Sequence, residues 1–213
     1  MKCDRKWMPI YAVTDRSWLN GGTLAGQVER ALRGGATCVQ LREKHLSEEA
    51  LAREAVELRA LCARFGAPLI VNDSVEAALA SGADGVHVGQ DDADAAEVRR
   101  RIGPDKLLGV SAHSVEEALR AERDGADYLG VGAVFPTGTK ADAGALPLAA
   151  LRDICAAVDI PVVAIGGVNA ANLGALAGSG VAGVAVVSAL FAAADVERAA
   201  SELRAAVRRE LGV

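Results

Sequence analysis

Eight short apolar, β-branched runs recur along this chain, and nothing else in it constrains the fold as tightly. They read IYAVT (10–14), TCVQLR (37–42), PLIVND (68–73), GVHVG (85–89), LLGVS (107–111), YLGVG (128–132), PVVAIG (161–166) and GVAVVS (183–188). Runs that are apolar on both faces suit strands covered on both sides, as in a parallel sheet. The segments between them, such as LSEEALAREAVELRALCARF and SVEEALRAERDG, repeat apolar residues at helical spacing. Ser47 ahead of Glu48-Glu49 reads as a helix start, and Ser114 with Glu117 as a capping box. The near-repeats GGATCVQ, SGADGVH, DGADYLG and SGVAGVA put glycine where a helix hands over to the next strand. Eightfold strand–helix alternation without a linker or low-complexity break predicts one (β/α)₈ TIM barrel over residues 1–213. Residues 1–8 would be an N-terminal extension and 195–212 a C-terminal helix. The chain is short for such a barrel, so its loops must be mostly tight. A doubly wound open sheet is the other arrangement that the same alternation allows.

Half of the residues are apolar but only 3% are aromatic, so the core must come from Ala, Val, Leu and Ile. The formal net charge of −5 argues against a general nucleic-acid binder and leaves room for a local basic site for a small anion. Cys3, Cys38, Cys62 and Cys155 are scattered without CxxC spacing and read as reduced thiols of a cytoplasmic protein. The opening MKCDRKWMPIYAVTDR has no apolar segment of signal-peptide length, and no run is long enough to span a membrane. Small-molecule partners are expected, with neither nucleic acid nor membrane. Monomer and homo-oligomer both stay open.

In a barrel of this kind the chemistry collects where strands end. Alternation along strand two would give Gln40, Arg42 and Lys44 one face and leave Val39 and Leu41 on the helix side. Two cations there ask for an anion, and phosphate suits them. Strand three ends in Asn72-Asp73, and strand four runs into GQDD with Asp91 and Asp92. Carboxylates from neighbouring strand ends can hold Mg²⁺ beside substrate phosphates, although Asp91 or Asp92 could equally begin the following helix. Together with Arg42 and Lys44 they suit a magnesium diphosphate, and Asn72 could bond a neutral polar group. Ser111 closes strand five in position to bond a ligand. His113 reads as a loop histidine and His87 as a hydrogen-bonded core histidine. Strands seven and eight end in AIGG and VVSA, where Gly166, Gly167, Val187 and Ser188 can offer backbone N–H groups and a hydroxyl to a phosphate. Glycine pairs also occur merely as turns. Between the two anion sites lies VFPTGTK (134–140), with Lys140 in reach of the diphosphate and Thr137 and Thr139 of the second ligand.

The segments YAVTDR, VQLREK, VNDSVEAALASGADGVHVGQDD, GVSAHSVEEA, GADYLGVGAVFPTGTKAD, PVVAIGGV and VAVVSAL together resemble the thiamine-phosphate synthase (thiamine-phosphate pyrophosphorylase) family. The likeness is collinear from about Tyr11 to Leu190. It implies that 4-amino-2-methyl-5-(diphosphooxymethyl)pyrimidine is joined to a thiazole phosphate, giving thiamine phosphate and pyrophosphate. It implies a pyrimidine diphosphate site on Gln40, Leu41, Arg42, Glu43, Lys44, Asn72, Ser111 and Lys140. By the same likeness Asp73 and Asp92 match Mg²⁺ ligands, and Thr137, Gly138, Thr139, Gly167, Val187 and Ser188 match the thiazole phosphate site. One departure is ALPLAALRD, where the family pattern would have a glycine near Leu148. Related thiazole tautomerases lack the diphosphate groups and carry a histidine in the strand-six stretch, which here reads VGAVF with Ala133.

No residue reads as an activated nucleophile, which argues against a covalent enzyme intermediate. Arg42, Lys44, Lys140 and Mg²⁺ would instead receive the charge of departing pyrophosphate, with Ser111 beside them. The alternatives are a metal-free tautomerase acting on a thiazole or similar phosphate, and a non-catalytic sensor of a phosphate ligand.

Overall fold

The computed structural model describes residues 3–19, 21–136 and 146–213. Eight parallel strands close into a barrel in chain order, which rules out the open sheet. β1 (Ile10–Val13) pairs with β2 (Cys38–Leu41), and β3 (Leu69–Asn72) and β4 (Gly85–Val88) follow. β5 (Leu107–Ala112), β6 (Tyr128–Gly132), β7 (Val162–Ile165) and β8 (Gly183–Val186) complete the round. The seam is β1 against β8, with Ile10 opposite Val184.

Alternation along the strands sorts the side chains into two apolar layers. Val39, Leu41, Leu69, Val71, Val86 and Val88 face outward and pack beneath the helices. Tyr11, Cys38, Ile70, Leu107, Tyr128 and Val163 fill the inside of the barrel, closed at its N-terminal end by Met8 with Trp7 and Cys3. Leu41, Leu69 and Leu129 are fully buried. A buried side chain of this size contributes about 1.5–3 kcal/mol, so the barrel holds without many aromatic residues.

Helices α1 (Leu24–Gly34), α2 (Glu48–Arg64), α3 (Val75–Ser81), α4 (Ala95–Ile102), α5 (Val115–Arg123) and α6 (Leu148–Ala157) follow the first six strands in turn. The two expected helix starts are as read: Ser47 caps α2 through the Ala50 N–H, and Ser114 caps α5 through the Glu117 N–H. α6 begins at Leu148 with Pro147 ahead of it and no side-chain cap, so the helix starts without the glycine of the family pattern. After β7 the chain makes only a 3₁₀ turn, Leu173–Leu176, where alternation called for a full helix. The segment NAANLGALAGSG is interrupted by glycine three times and is a poor helix former. β8 leads into the short α7 (Ser188–Phe191) and then α8 (Val196–Leu211). Among the described residues no helix is long and apolar enough to cross a membrane.

Candidate active site

A cavity of about 300 Å³ opens at the C-terminal end of the barrel. Gln40, Arg42, Asn72, Ser111, Gly167 and Ser188 all line it, so five strands deliver the expected groups to one place. Gln40 is buried and its Nε2 donates to the Tyr11 hydroxyl at 3.0 Å. β2 stops at Leu41, so strict alternation does not carry as far as Arg42 and Lys44, which belong to the following loop. The Arg42 backbone N–H donates to Thr14 Oγ1 at 3.0 Å, which fixes the loop as it leaves the strand. Leu41 lies in the helix-facing layer, leaving only its backbone to meet a ligand. Glu43 turns to Arg16, whose Nε lies 3.0 Å from Glu43 Oε2, and burial pushes this carboxyl up despite the guanidinium. Lys44 is exposed beyond the cavity lining, but its charge, with that of Arg42, still acts on Asp73.

Asp73 occupies the left-handed region at φ 64°, unusual for a residue with a side chain. Its N–H donates to the His87 carbonyl at 2.8 Å, while the next residue, Ser74, caps α3. That tight turn half-buries the Asp73 carboxyl beside Asp92. Burial and then the neighbouring Asp92 carboxylate push Asp73 up to about 6, against the pull of Lys44 and Arg42. Asp92 does not begin the next helix: Asp94 caps α4, whereas Asp92 Oδ2 accepts from the Gly89 N–H at 2.7 Å. Among the described residues no cluster of three or more His, Cys, Asp or Glu could hold a metal by itself. Two carboxylates held together at this cost fit a hard cation that takes its other ligands from substrate phosphate and water, as Mg²⁺ does.

Ser111 is held from two sides. Gln90 Nε2 donates to its carbonyl at 2.6 Å, and its Oγ lies 3.0 Å from His87 Nε2. This serine–histidine pair is absent from the sequence reading, which saw no activated nucleophile. Its third member is the Tyr128 hydroxyl, 3.1 Å from His87 Nδ1, where a hydrolytic triad would have a carboxylate. Burial pushes the Tyr128 phenol well above its ordinary value, so it supplies no anion to steady an imidazolium. His113 also borders the cavity, and Glu117 is the partner its sequence did not reveal: Oε2 accepts from its backbone N–H at 2.7 Å and lies 3.2 Å from Nδ1.

Across the cavity, Gly166 and Gly167 lie at φ 95° and 65°, and Val187 leads into α7. Gly167 has no room for a side chain, since a Cβ would fall 2.5 Å from the Pro136 carbonyl oxygen. Its own carbonyl accepts from Asn172 Nδ2 at 2.8 Å and from Asn169 Nδ2 at 3.2 Å, pinning the peptide. The first N–H groups of α7 have no partner within that helix. Thr137, Gly138, Thr139 and Lys140 lie outside the described residues. Sequence reasoning passed over Tyr11, Asn169 and the cavity-lining role of His87. Tyr11 lies inside the barrel and its partner Tyr128 is far along the chain.

The chain matches the family model described as Thiamine monophosphate synthase over residues 10–190. It is 56% identical to the thiamine-phosphate synthase of Chloroflexus aurantiacus over 93% of this chain and 92% of that one. It is 47% identical to the enzyme of the same name from Clostridium tetani, over 91% of this chain and 93% of that one. A solved structure described as thiamine phosphate pyrophosphorylase from Pyrococcus furiosus superposes with a TM-score of 0.89 at 42% identity, covering 98% of this chain and 99% of that one. On that breadth of likeness, through all eight strands, the chain belongs to the thiamine-phosphate synthase family.

Proposed function

We propose that the cavity performs the family reaction with the residues gathered at its rim. The chain is a transferase of thiamine biosynthesis. In this reading Gln40 to Lys44, Asn72 and Ser111 hold the pyrimidine diphosphate, and Gly167, Val187 and Ser188 hold the thiazole phosphate. Thr137, Gly138 and Thr139 would bind the thiazole phosphate and Lys140 the diphosphate. The observation that carries the assignment is the forced pair Asp73 and Asp92, on which Lys44 and Arg42 act, set just outside a cavity that Arg42, Asn72, Gly167 and Ser188 line and Asp73 and Asp92 do not. A metal-free tautomerase has no use for that pair.

Asp73 and Asp92 would hold Mg²⁺, which supplies positive charge against the diphosphate. The chain's own part is position and charge. The thiazole nitrogen forms a bond to the pyrimidine methylene carbon as the bond from that carbon to the diphosphate oxygen breaks. Its lone pair enters the new bond, and the electrons of the old bond leave on pyrophosphate. Arg42, Lys44 and Lys140 receive the growing negative charge. The electron-rich aminopyrimidine can support a positive methylene carbon, so the old bond can break ahead of the new one. No base is needed, and orientation of the two substrates supplies much of the rate. The four free thiols suit a reducing compartment, the cytoplasm.

The test incubates the protein with both substrates and Mg²⁺ and follows pyrophosphate and thiamine phosphate together. Equal amounts of both over many turnovers are expected. Ligand binding without turnover would favour the sensor, and conversion of a thiazole phosphate alone the tautomerase.

A further inference from the structure

The two tyrosines of the chain, Tyr11 and Tyr128, meet hydroxyl to hydroxyl at 2.7 Å inside the barrel. From Tyr11 the contact continues to Gln40 Nε2 at 3.0 Å, and from Tyr128 to His87 Nδ1 at 3.1 Å. His87 Nε2 then reaches Ser111 Oγ at 3.0 Å. Five side chains from β1, β2, β4, β5 and β6 thus form one line of hydrogen bonds, with a cavity-lining group at each end. The strand register makes room for it. Gly109 of β5 stands directly between His87 of β4 and Tyr128 of β6. A Cβ at Gly109 would fall 2.2 Å from the Tyr128 hydroxyl and 2.4 Å from His87 Nδ1. Any other residue at Gly109 would force these two rings apart.

We propose that Tyr11, Tyr128 and His87 are positioning residues, which tie Gln40 to Ser111 and fix what each presents to the pyrimidine diphosphate. Each hydroxyl has one hydrogen to give, so the line has a direction. Gln40 donates to Tyr11, and the other partner of that hydroxyl is Tyr128, so the Tyr11 hydrogen has its acceptor only if it goes to Tyr128, which sends the Tyr128 hydrogen to His87 Nδ1. His87 must then be the Nε2–H tautomer and donate to Ser111 Oγ. Ser111 keeps its own hydrogen for the ligand, and Gln40 offers its carbonyl oxygen. A histidine donating to Ser111 cannot also take its proton, so the pair positions the substrate and does not make a nucleophile. Burial keeps both phenols neutral and able to donate. The ligand selected is one that donates at Gln40, as an amino group does, and accepts at Ser111, as a ring nitrogen or phosphate oxygen does. An oxo group in place of the amino group would face the Gln40 oxygen with a second acceptor.

This rests on the synthase reading for its kinetic arm only. The tautomer is read without substrate, from the ¹⁵N shifts of the His87 ring, in a chain with three histidines. The expected state at pH 7.5 is one neutral Nε2–H tautomer. An Nδ1–H tautomer or a cation there overturns the proposal whatever the variants do. Tyr128→Phe keeps the ring and removes the link. It should mix the His87 tautomers and raise KM for the pyrimidine diphosphate about tenfold. KM for the thiazole phosphate should stay within about twofold. An unchanged pyrimidine KM, or an equal rise for both substrates, overturns the proposal. Tyr11→Phe breaks the line one step earlier and takes the same readout if Tyr128→Phe fails to fold. A wrong synthase reading would show instead as no product from the parent protein.

Discussion

At the scale of single residues, the chain concentrates cost at Asp73. Its backbone is held in a left-handed turn and its carboxyl is half-buried beside Asp92. A carboxyl raised to about 6 binds a proton more tightly in the folded state than in the unfolded one. The stability it contributes is therefore complete below about pH 3.8 and lost as pH rises through about 6. Solvent screening at a half-exposed group limits the loss to about 1 kcal/mol. With a chelator present, stability should fall across that window, and Mg²⁺ should restore it at pH 7.5 but not at pH 4.5. Asp92→Asn keeps an oxygen for the Gly89 N–H and removes the charge. In that variant the fall should shrink, since burial of Asp73 remains while the repulsion is gone, and kcat/KM should drop about 10- to 100-fold. Thermal unfolding at several pH values, with and without Mg²⁺, checks the first effect, and initial rates check the second. A variant with normal turnover would leave Asp92 as a turn residue only.

At the scale of elements, the strand ends act as fixed pegs and the turns behind them set the geometry. The 3₁₀ turn after β7 is an example, because Asn172 at its start donates to the Gly167 carbonyl at 2.8 Å. Asn172→Ala should release that peptide, which lies on the phosphate side of the cavity. Loss of a hydrogen bond worth about 1 kcal/mol should raise KM for the thiazole phosphate about fivefold, with kcat nearly unchanged. Equal rises for both substrates in steady-state kinetics would instead mean a general loosening of the barrel mouth. Most of this was legible in the sequence, since apolar runs fix where strands begin and end to within a residue or two. The capping serines were equally plain, because a cap depends on neighbours three residues away. The 3₁₀ turn was not, because alternation alone predicts a helix there and says nothing of glycine spacing within it. Gln40, Ser111 and Asp73 could be picked out by their place at strand ends. The Tyr11–Tyr128–His87 line could not, because it depends on the register that sets Gly109 between two neighbouring strands.

At the scale of the whole molecule, a barrel built from small aliphatic residues uses its cysteines as core residues. Cys38 fills the barrel interior and Cys62 sits on the buried face of α2, both with no exposed surface. Burial pushes the Cys62 thiol up to about 12 and the Cys38 thiol well above its ordinary value. Cys155 rises to about 11 and Cys3 to about 12 for the same first reason. These groups stay protonated in the folded protein where the unfolded chain has lost its protons. Their contribution is intact below the ordinary thiol value and is lost as pH climbs towards the folded ones. Each fully buried thiol should remove about 1.4 kcal/mol of stability per pH unit above about 9. Urea midpoints should therefore be nearly level from pH 7 to 8.5 and fall steeply by pH 10.5. Cys62→Ala removes one of the two steepest contributions, and its curve should fall with a visibly smaller slope, even though the cavity left by the sulfur lowers the plateau. The thiols should also resist alkylation at pH 8 until denaturant is added, because the thiolate is the reactive form. Rapid labelling of Cys38 and Cys62 in the native protein, or a urea midpoint unchanged to pH 10.5, would show that the barrel interior opens to solvent.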